Sequence, residues 1–132
     1  MAVNSLIKQL IKESGNDMAS VVSAGILGDC STFVDTGSYT LNALVSGSMY
    51  GGIPSNKITC IAGQEAVGKT FFALSIAKNF LDQSDKNLII YFDSESAVTT
   101  GMFEERGLDT ERIIYAPVAT VEEFRTQCIK LI

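Results

Sequence analysis

Histidine is absent from this sequence, and its three cysteines, Cys30, Cys60 and Cys128, stand far apart. Without an imidazole general base, any catalysis must rest on carboxylates, lysine or a metal. The same shortage argues against a zinc site, which draws mainly on histidines and paired cysteines. An odd number of scattered cysteines makes no disulfide framework and fits reduced thiols in a cytoplasm. No apolar run reaches the roughly 18 residues of a membrane span. The opening Met1-Ala2-Val3-Asn4-Ser5-Leu6-Ile7-Lys8 lacks the basic-then-apolar order of a secretory signal. Positive charge is scarce too: 10 basic against 15 acidic residues leave a net charge of −5. That sign is wrong for a free-standing nucleic-acid binder, so a nucleic-acid partner would be held mostly by surface outside these residues.

What is present is the composition of an ordinary folded domain, 46% hydrophobic and 19% charged over 132 residues, enough for one sizeable core. Residues 4 to 13 read as an amphipathic helix, capped by Asn4 or Ser5, with Leu6, Ile7, Leu10 and Ile11 on one face and Gly15 at its end. Residues 16 to 38 are small, polar and broken by Gly25, Gly28 and Gly37, so they read as a loose connection. We divide the chain accordingly into a helical arm with its linker, 1–38, and the first part of an α/β core, 39–132. Leu41-Asn42-Ala43-Leu44-Val45 is a short apolar turn of helix or strand, and Gly47, Gly51, Gly52 and Pro54 mark a loop.

From Lys57 the pattern becomes an alternation of strands and helices. Ile58-Thr59-Cys60-Ile61-Ala62 reads as a buried strand, and a helix is expected from about Thr70 to Leu81, with Phe72, Ile76 and Phe80 on one stripe beside Ala73 and Ala77. Leu88-Ile89-Ile90-Tyr91-Phe92 is continuously apolar, as in a sheet covered on both faces. A short helix near Met102 to Arg106 closes at Gly107, and Arg112-Ile113-Ile114-Tyr115-Ala116 is a third strand stopped by Pro117. Thr120-Val121-Glu122-Glu123 is a capping box opening a last helix whose stripe is Val121, Phe124, Cys128 and Leu131. That helix is still running at Ile132, so a truncation is expected there.

Between the first strand and its helix lies Gly63-Gln64-Glu65-Ala66-Val67-Gly68-Lys69-Thr70. It matches G-x-x-x-x-G-K-[ST] in full and in the required strand-loop-helix setting. A chance match in a chain of this length is roughly one in a few hundred on average residue usage. The backbone N–H groups of residues 65 to 70 can converge on a phosphate, aided by the positive end of the following helix. Gly63 and Gly68 allow the turn and the close approach, Lys69 offers a charge to the β- and γ-phosphates, and the Thr70 hydroxyl is a magnesium ligand. ATP with Mg2+ is the expected ligand. The bland alternative is a glycine-rich turn with a solvated lysine. Asp93, Ser94 and Glu95 follow the second strand, where ligands of open parallel sheets bind. On spacing alone the two carboxylates serve equally well as a magnesium or water-orienting site or as a solvated acidic turn.

Taken with that loop, Tyr91-Phe92-Asp93-Ser94-Glu95 resembles the RecA family of recombinases. So do Leu41 to Gly47, Gly51 to Lys57, and Arg106-Gly107-Leu108-Asp109-Thr110-Glu111-Arg112-Ile113-Ile114 with Ala116-Pro117-Val118. The last of these is most similar to the T4-type phage branch, and the likeness spans residues 40 to 130. The resemblance implies a RecA-like ATPase core with a mainly parallel sheet and an amino-terminal helical arm. It implies an ATP-dependent recombinase that binds single-stranded DNA through regions beyond this chain, assembles into a helical filament, and works in the cytoplasm of a host cell. Glu95 matches the glutamate that polarises the attacking water, and Lys69 and Thr70 match the phosphate and magnesium contacts. The helix Leu6 to Ile11 lies where family members dock onto the next subunit.

This chain also departs from the family. The tyrosine that stacks on adenine in many members, seven residues after the glutamate, is Met102 here, and Phe103 beside it is the expected substitute. In the superfamily two later strands separate the strand before the phosphate loop from the one carrying Asp93, so this stretch is not expected to close its own sheet, leaving edges open to pairing. Rival readings are a hexameric helicase or clock-type ATPase of the same superfamily, and a small-molecule kinase, which would carry an arginine-rich lid where this chain has only Arg106, Arg112 and Arg125. A non-catalytic nucleotide-gated module is a third.

Overall fold

Apolar residues at every third or fourth position drive the first segment into helix α1, Ala2–Glu13. The structure, a computed structural model, describes residues 2–26 and 28–131, and the side chains of Ala2 and Val3 lie outside that description. Because α1 starts at Ala2, Asn4 and Ser5 lie inside its first turns instead of capping it. Its carboxyl end closes as expected: Ser14 N–H donates to the Leu10 carbonyl at 2.9 Å, the Ser14 hydroxyl to that of Ile11 at 2.7 Å, and Gly15 turns out of the helix at φ +64°. The linker that follows has more order than its composition suggests. Asn16 Oδ1 accepts the Met18 N–H, a 3-10 turn occupies Val22–Ala24, and Asp29 Oδ2 accepts the Ile26 N–H.

The chain divides into two compact units, Met1–Ser31 and Thr32–Ile132. The second unit opens with a two-residue strand β1, Phe33–Val34. Helix α2 follows, Tyr39–Ser46, and then strand β2, Ile53–Pro54, antiparallel to β1. Thus Leu41 to Val45 is helix, and the expected glycine-rich loop contains a strand.

What holds this corner together is polar. Asn42 is buried, and its Oδ1 accepts the Thr36 N–H at 3.0 Å and the Thr36 hydroxyl at 2.7 Å, while its Nδ2 donates to Asp35 Oδ1 and the Met49 carbonyl. All its hydrogen-bonding capacity is used, the condition under which a buried amide stabilises a fold. Glycine is required at Gly52, where a Cβ would lie 2.0 Å from the Val34 carbonyl oxygen and φ is +135°.

Helix α3, Lys69–Asp82, crosses this corner: Asn79 and Gln83 donate to the carbonyls of Asp35 and Phe33, both at 2.8 Å. Its buried face differs from the expected stripe. Leu74 and Leu81 are fully enclosed, whereas Phe72 is largely exposed and Ile76 and Phe80 are only half-covered. The reason is where the partners lie. The core cluster of Leu74, Leu81, Phe103 and Leu108 stands beside strand β3, Ile89–Asp93, and Phe72 is not among the residues packed on it. Strand β3 pairs in parallel with β4, Ile113–Pro117, in the register Ile89 to Ile113 through Asp93 to Pro117.

Helix α4, Thr100–Glu104, ends in a turn at Gly107. Helix α5, Val121–Leu131, opens with the capping box read from the sequence: Thr120 Oγ1 accepts the Glu123 N–H, and Glu123 Oε2 accepts the N–H groups of Ala119 and Thr120. Ile132 lies outside the described residues. Arg112 closes the far end of α3, donating to the Leu81 and Ser84 carbonyls and to Asp109, a cation where the helix dipole is negative.

Residues 58 to 62 correct the sequence reading most sharply. They belong to neither small sheet, and Ile58 is fully exposed. An apolar run becomes a buried strand only where a neighbouring strand accepts its N–H and C=O groups, and among the described residues none does. The architecture is therefore mixed α/β with two small sheets, one parallel and one antiparallel.

Candidate functional site

Helix α3 begins on the glycine loop, with Gly68 as its N-cap at φ +90° and Phe72 N–H donating to the Gly68 carbonyl. Ala66, two residues earlier, holds φ +59°. A left-handed alanine costs about 1–2 kcal/mol and marks a loop whose shape matters more than its comfort. The loop is tight: a Cβ on Gly63 would come within 3.0 Å of Val67 Cγ2. Lys69 folds back into it, donating from Nζ to the Gln64 carbonyl at 2.8 Å and the Gly63 carbonyl at 3.1 Å. An ammonium group and a helix amino terminus thus face the same small space, a pairing suited to a multiply charged anion.

A cleft of about 630 Å3 runs from this loop to the end of β3. Glu65, Ala66, Gly68, Lys69 and Thr70 form one wall, and Asp93, Ser94 and Glu95 face them across it. The residues singled out from sequence therefore share one cavity, except that Gly63, Gln64 and Val67 lie behind its lining and Phe103 is elsewhere.

Phe103 is buried in the core with its ring edge-on to Tyr91, centroids 5.5 Å apart. It lines a different cavity, with Val98, Thr100 and Tyr115, and not the cleft that holds the phosphate loop. Of that pair, Met102 is the one that lines the cleft.

The two carboxylates have different surroundings. Glu95 is exposed on the cleft wall. Asp93 is buried: its Oδ1 accepts the N–H groups of Glu95 and Ser96, both at 2.9 Å, and its Oδ2 accepts the Tyr115 hydroxyl at 3.1 Å. Burial pushes Asp93 toward its neutral form. The N–H groups of Glu95, Ser96 and Val98, with the Tyr115 hydroxyl, outweigh that and hold its pKa below the usual carboxylate value. In Tyr115 and Tyr91 burial and the neighbouring acid act in the same sense, and both phenols are raised above their ordinary value. Asp93 thus fixes the turn that presents Glu95, with Ser96 strained at φ +52° inside it. Sequence reading missed this division of labour. The available signal was an aspartate ending a strand two residues before another polar backbone turn, the pattern of an Asx turn.

Among the described residues no cluster of His, Cys, Asp and Glu could by itself hold a metal ion. Magnesium does not require such a cage, since it is commonly held by one or two protein oxygens together with substrate phosphates and water. Thr70 lines the cleft next to Lys69 and would be the protein's oxygen for it.

Residues 1–124 match the family model described as the RecA N-terminal domain. The chain is 26% identical over 127 residues to the recombination and repair protein of Enterobacteria phage T4, an alignment covering 96% of this chain and 32% of that protein. The chain therefore spans about a third of the relative's length.

Proposed function

This chain belongs to the RecA N-terminal domain family, and from that premise we propose that it is the nucleotide-binding part of an ATP-dependent DNA recombinase. The observation that carries the proposal is the one cleft lined both by Glu65, Ala66, Gly68, Lys69 and Thr70 of the phosphate loop and by Glu95. Gly68, Lys69 and Thr70 close on the β- and γ-phosphates of ATP, with Lys69 exchanging its two loop carbonyls for phosphate oxygens. Thr70 and the phosphates would hold a magnesium ion, which would supply neutralisation of the charge on the phosphates. Glu95, presented by the Asp93 turn, orients and takes a proton from the water that attacks the γ-phosphorus, as the bond from that phosphorus to the β–γ bridging oxygen breaks and ADP and phosphate leave. With no histidine in the chain, a carboxylate is the fitting base.

The net charge of −5 points to DNA contacts outside this chain. Single-stranded DNA is the proposed partner of the complete recombinase, in the cytoplasm of a host cell. Leu6 and Leu10 on α1 are each more than half exposed, which supports a role for the helix in docking on a second subunit of a filament.

Two substitutions test the reading. Lys69→Ala removes a charge-assisted contact of about 1.5–3 kcal/mol, so magnesium–ATP should bind this chain roughly ten- to a hundredfold more weakly. Equal affinity would overturn the phosphate-loop assignment. In the complete recombinase, Glu95→Gln should bind ATP almost normally, hydrolyse it at least about a hundredfold more slowly, and leave single-stranded DNA more slowly after ATP is added. A small-molecule kinase would show no such link between stalled hydrolysis and DNA lifetime.

A further inference from the structure

Phosphate contacts do not say what holds the other end of the nucleotide, and the candidate read from sequence, Phe103, is buried in the core. The apolar side of the cleft narrows the choice. Its aromatic residues are Phe71, Tyr91 and Phe92. Tyr91 is committed to Phe103 and Tyr115, and Phe92 packs edge-on against Phe124 at 5.0 Å. Phe71 packs against no other ring recorded in the structure, and it is 58% exposed. It directly follows Thr70, so it sits at the end of the phosphate cradle.

One face of Phe71 is nevertheless occupied. The guanidinium carbon of Arg106 lies 3.2 Å from the ring centroid, a stacked cation–π contact. Phe71 lines the cleft and Arg106 does not. Arg106 is not among the ion pairs of the described residues, and its Nε is buried without a hydrogen-bond partner. A guanidinium bonded in this way serves to fix the ring. Met102 lines the same cleft with a polarisable side chain suited to packing on a flat π-surface.

We propose that Phe71, held by its cation–π contact with Arg106, is the platform on which the nucleobase stacks, and that it makes this site prefer a purine nucleoside triphosphate over a bare triphosphate or a pyrimidine nucleotide. The proposal rests on the phosphate-loop reading above and adds the base-selecting residue to it. A purine offers the larger stacking area, and stacking is the interaction this wall supplies.

The test uses the chain itself with three magnesium-loaded probes, ATP, UTP and inorganic tripolyphosphate, each titrated calorimetrically. The unmodified chain should bind ATP about tenfold more tightly than tripolyphosphate, the scale of one base–aromatic stack, with UTP in between. Phe71→Ala and Phe71→Leu should bring ATP down to the tripolyphosphate level and leave tripolyphosphate unchanged. Phe71→Tyr should restore the preference, and Arg106→Ala should lose part of it. An ATP-to-tripolyphosphate ratio that survives both Phe71→Ala and Phe71→Leu overturns the platform while leaving the phosphate loop intact. Tripolyphosphate binding that Lys69→Ala does not weaken, or no binding of any probe, overturns the loop assignment and the platform with it.

Discussion

Ile58 to Ala62 and Ile89 to Asp93 are both five-residue stretches dominated by apolar residues, and each runs into a loop that lines the same cleft. The structure treats them in opposite ways. The second is a strand with β4 beside it and the Leu74–Leu81–Phe103 cluster packed against it, whereas the first lies outside both sheets with Ile58 fully in solvent. Intrinsic preference is alike in the two, so the difference comes from context. A strand is stabilised by the ladder and the packing it joins, and the sequence of the strand itself does not reveal whether the neighbour is there. The phosphate loop follows the unsupported stretch. Its shape is held instead from the other side, by the start of α3 and the Lys69 hydrogen bonds.

The comparison sharpens most through Leu74, which anchors α3 to the supported side. It is fully enclosed, so Leu74→Ala should remove about 2–5 kcal/mol, the transfer term plus the cavity left behind. Urea unfolding followed by circular dichroism would measure it. A loss under about 1 kcal/mol would mean that the core is not built on this helix face.

Asn42 gives the next largest effect and asks whether a polar junction can do what a ladder does elsewhere. Asn42→Leu keeps the volume but removes the Asn42 partner of the Thr36 N–H and of the Met49 carbonyl and leaves Asp35 Oδ1 with the Gly37 N–H alone. The cost should be about 1–3 kcal/mol for buried groups left unpaired. Hydrogen exchange at Thr36 should quicken, and an unchanged rate would show that the network contributes nothing.

Acid provides a subtler test. Asp93 and Asp35 both have folded pKa values below the usual 3.8, Asp35 because of Asn42 and the Gly37 N–H, against a weak opposing effect of burial. A lowered carboxylate pKa contributes stability that is fully present above the unfolded value and is lost as pH falls through the folded one. Stability should therefore decline below pH 3.8. Asp93→Asn, which keeps an acceptor for Glu95 and Ser96, should flatten that decline, and Asn42→Leu should flatten the part due to Asp35. Unfolding midpoints measured stepwise from neutral pH downward would decide it. An acid limb as steep in both variants as in the parent would place the titrating groups elsewhere.

These tests also mark where sequence reading succeeded and where it could not. The helices and the capping box at Thr120 and Glu123 are local events, decided by residues within one or two turns of each other, and they were legible. The pairing of Phe103 with Tyr91, the choice of Leu74 over Phe72 as the buried face of α3, and the filling of Asn42's hydrogen bonds by residues six or seven positions away depend on what the folded chain brings together. Glu95 was legible as a candidate because its motif is dense. Asp93 was visible as an acid but not as the buried group that shapes the turn, since charge alone does not tell which of two neighbouring carboxylates points inward.

The smallest expected effect bears most directly on the opening contrast, and it concerns Ile58. If residues 58 to 62 have no partner, replacing the exposed side chain at Ile58 should not weaken the fold. Ile58→Lys should then change the unfolding free energy by less than about 0.5 kcal/mol, the usual range at surface sites. The same replacement at Ile89, which packs against the Leu74–Leu81–Phe103 cluster, should destabilise the fold strongly, because it places a charge against the core. A second readout separates an idle surface from an adhesive one. An exposed apolar segment with unpaired backbone groups is a template for association. Sedimentation across a concentration series should therefore show less self-association for Ile58→Lys than for the parent, and a lysine there acts as the edge charge that natural sheets use to discourage pairing. A marked loss of stability in Ile58→Lys would show that this stretch is buried in solution, and the contrast between the two apolar runs would disappear.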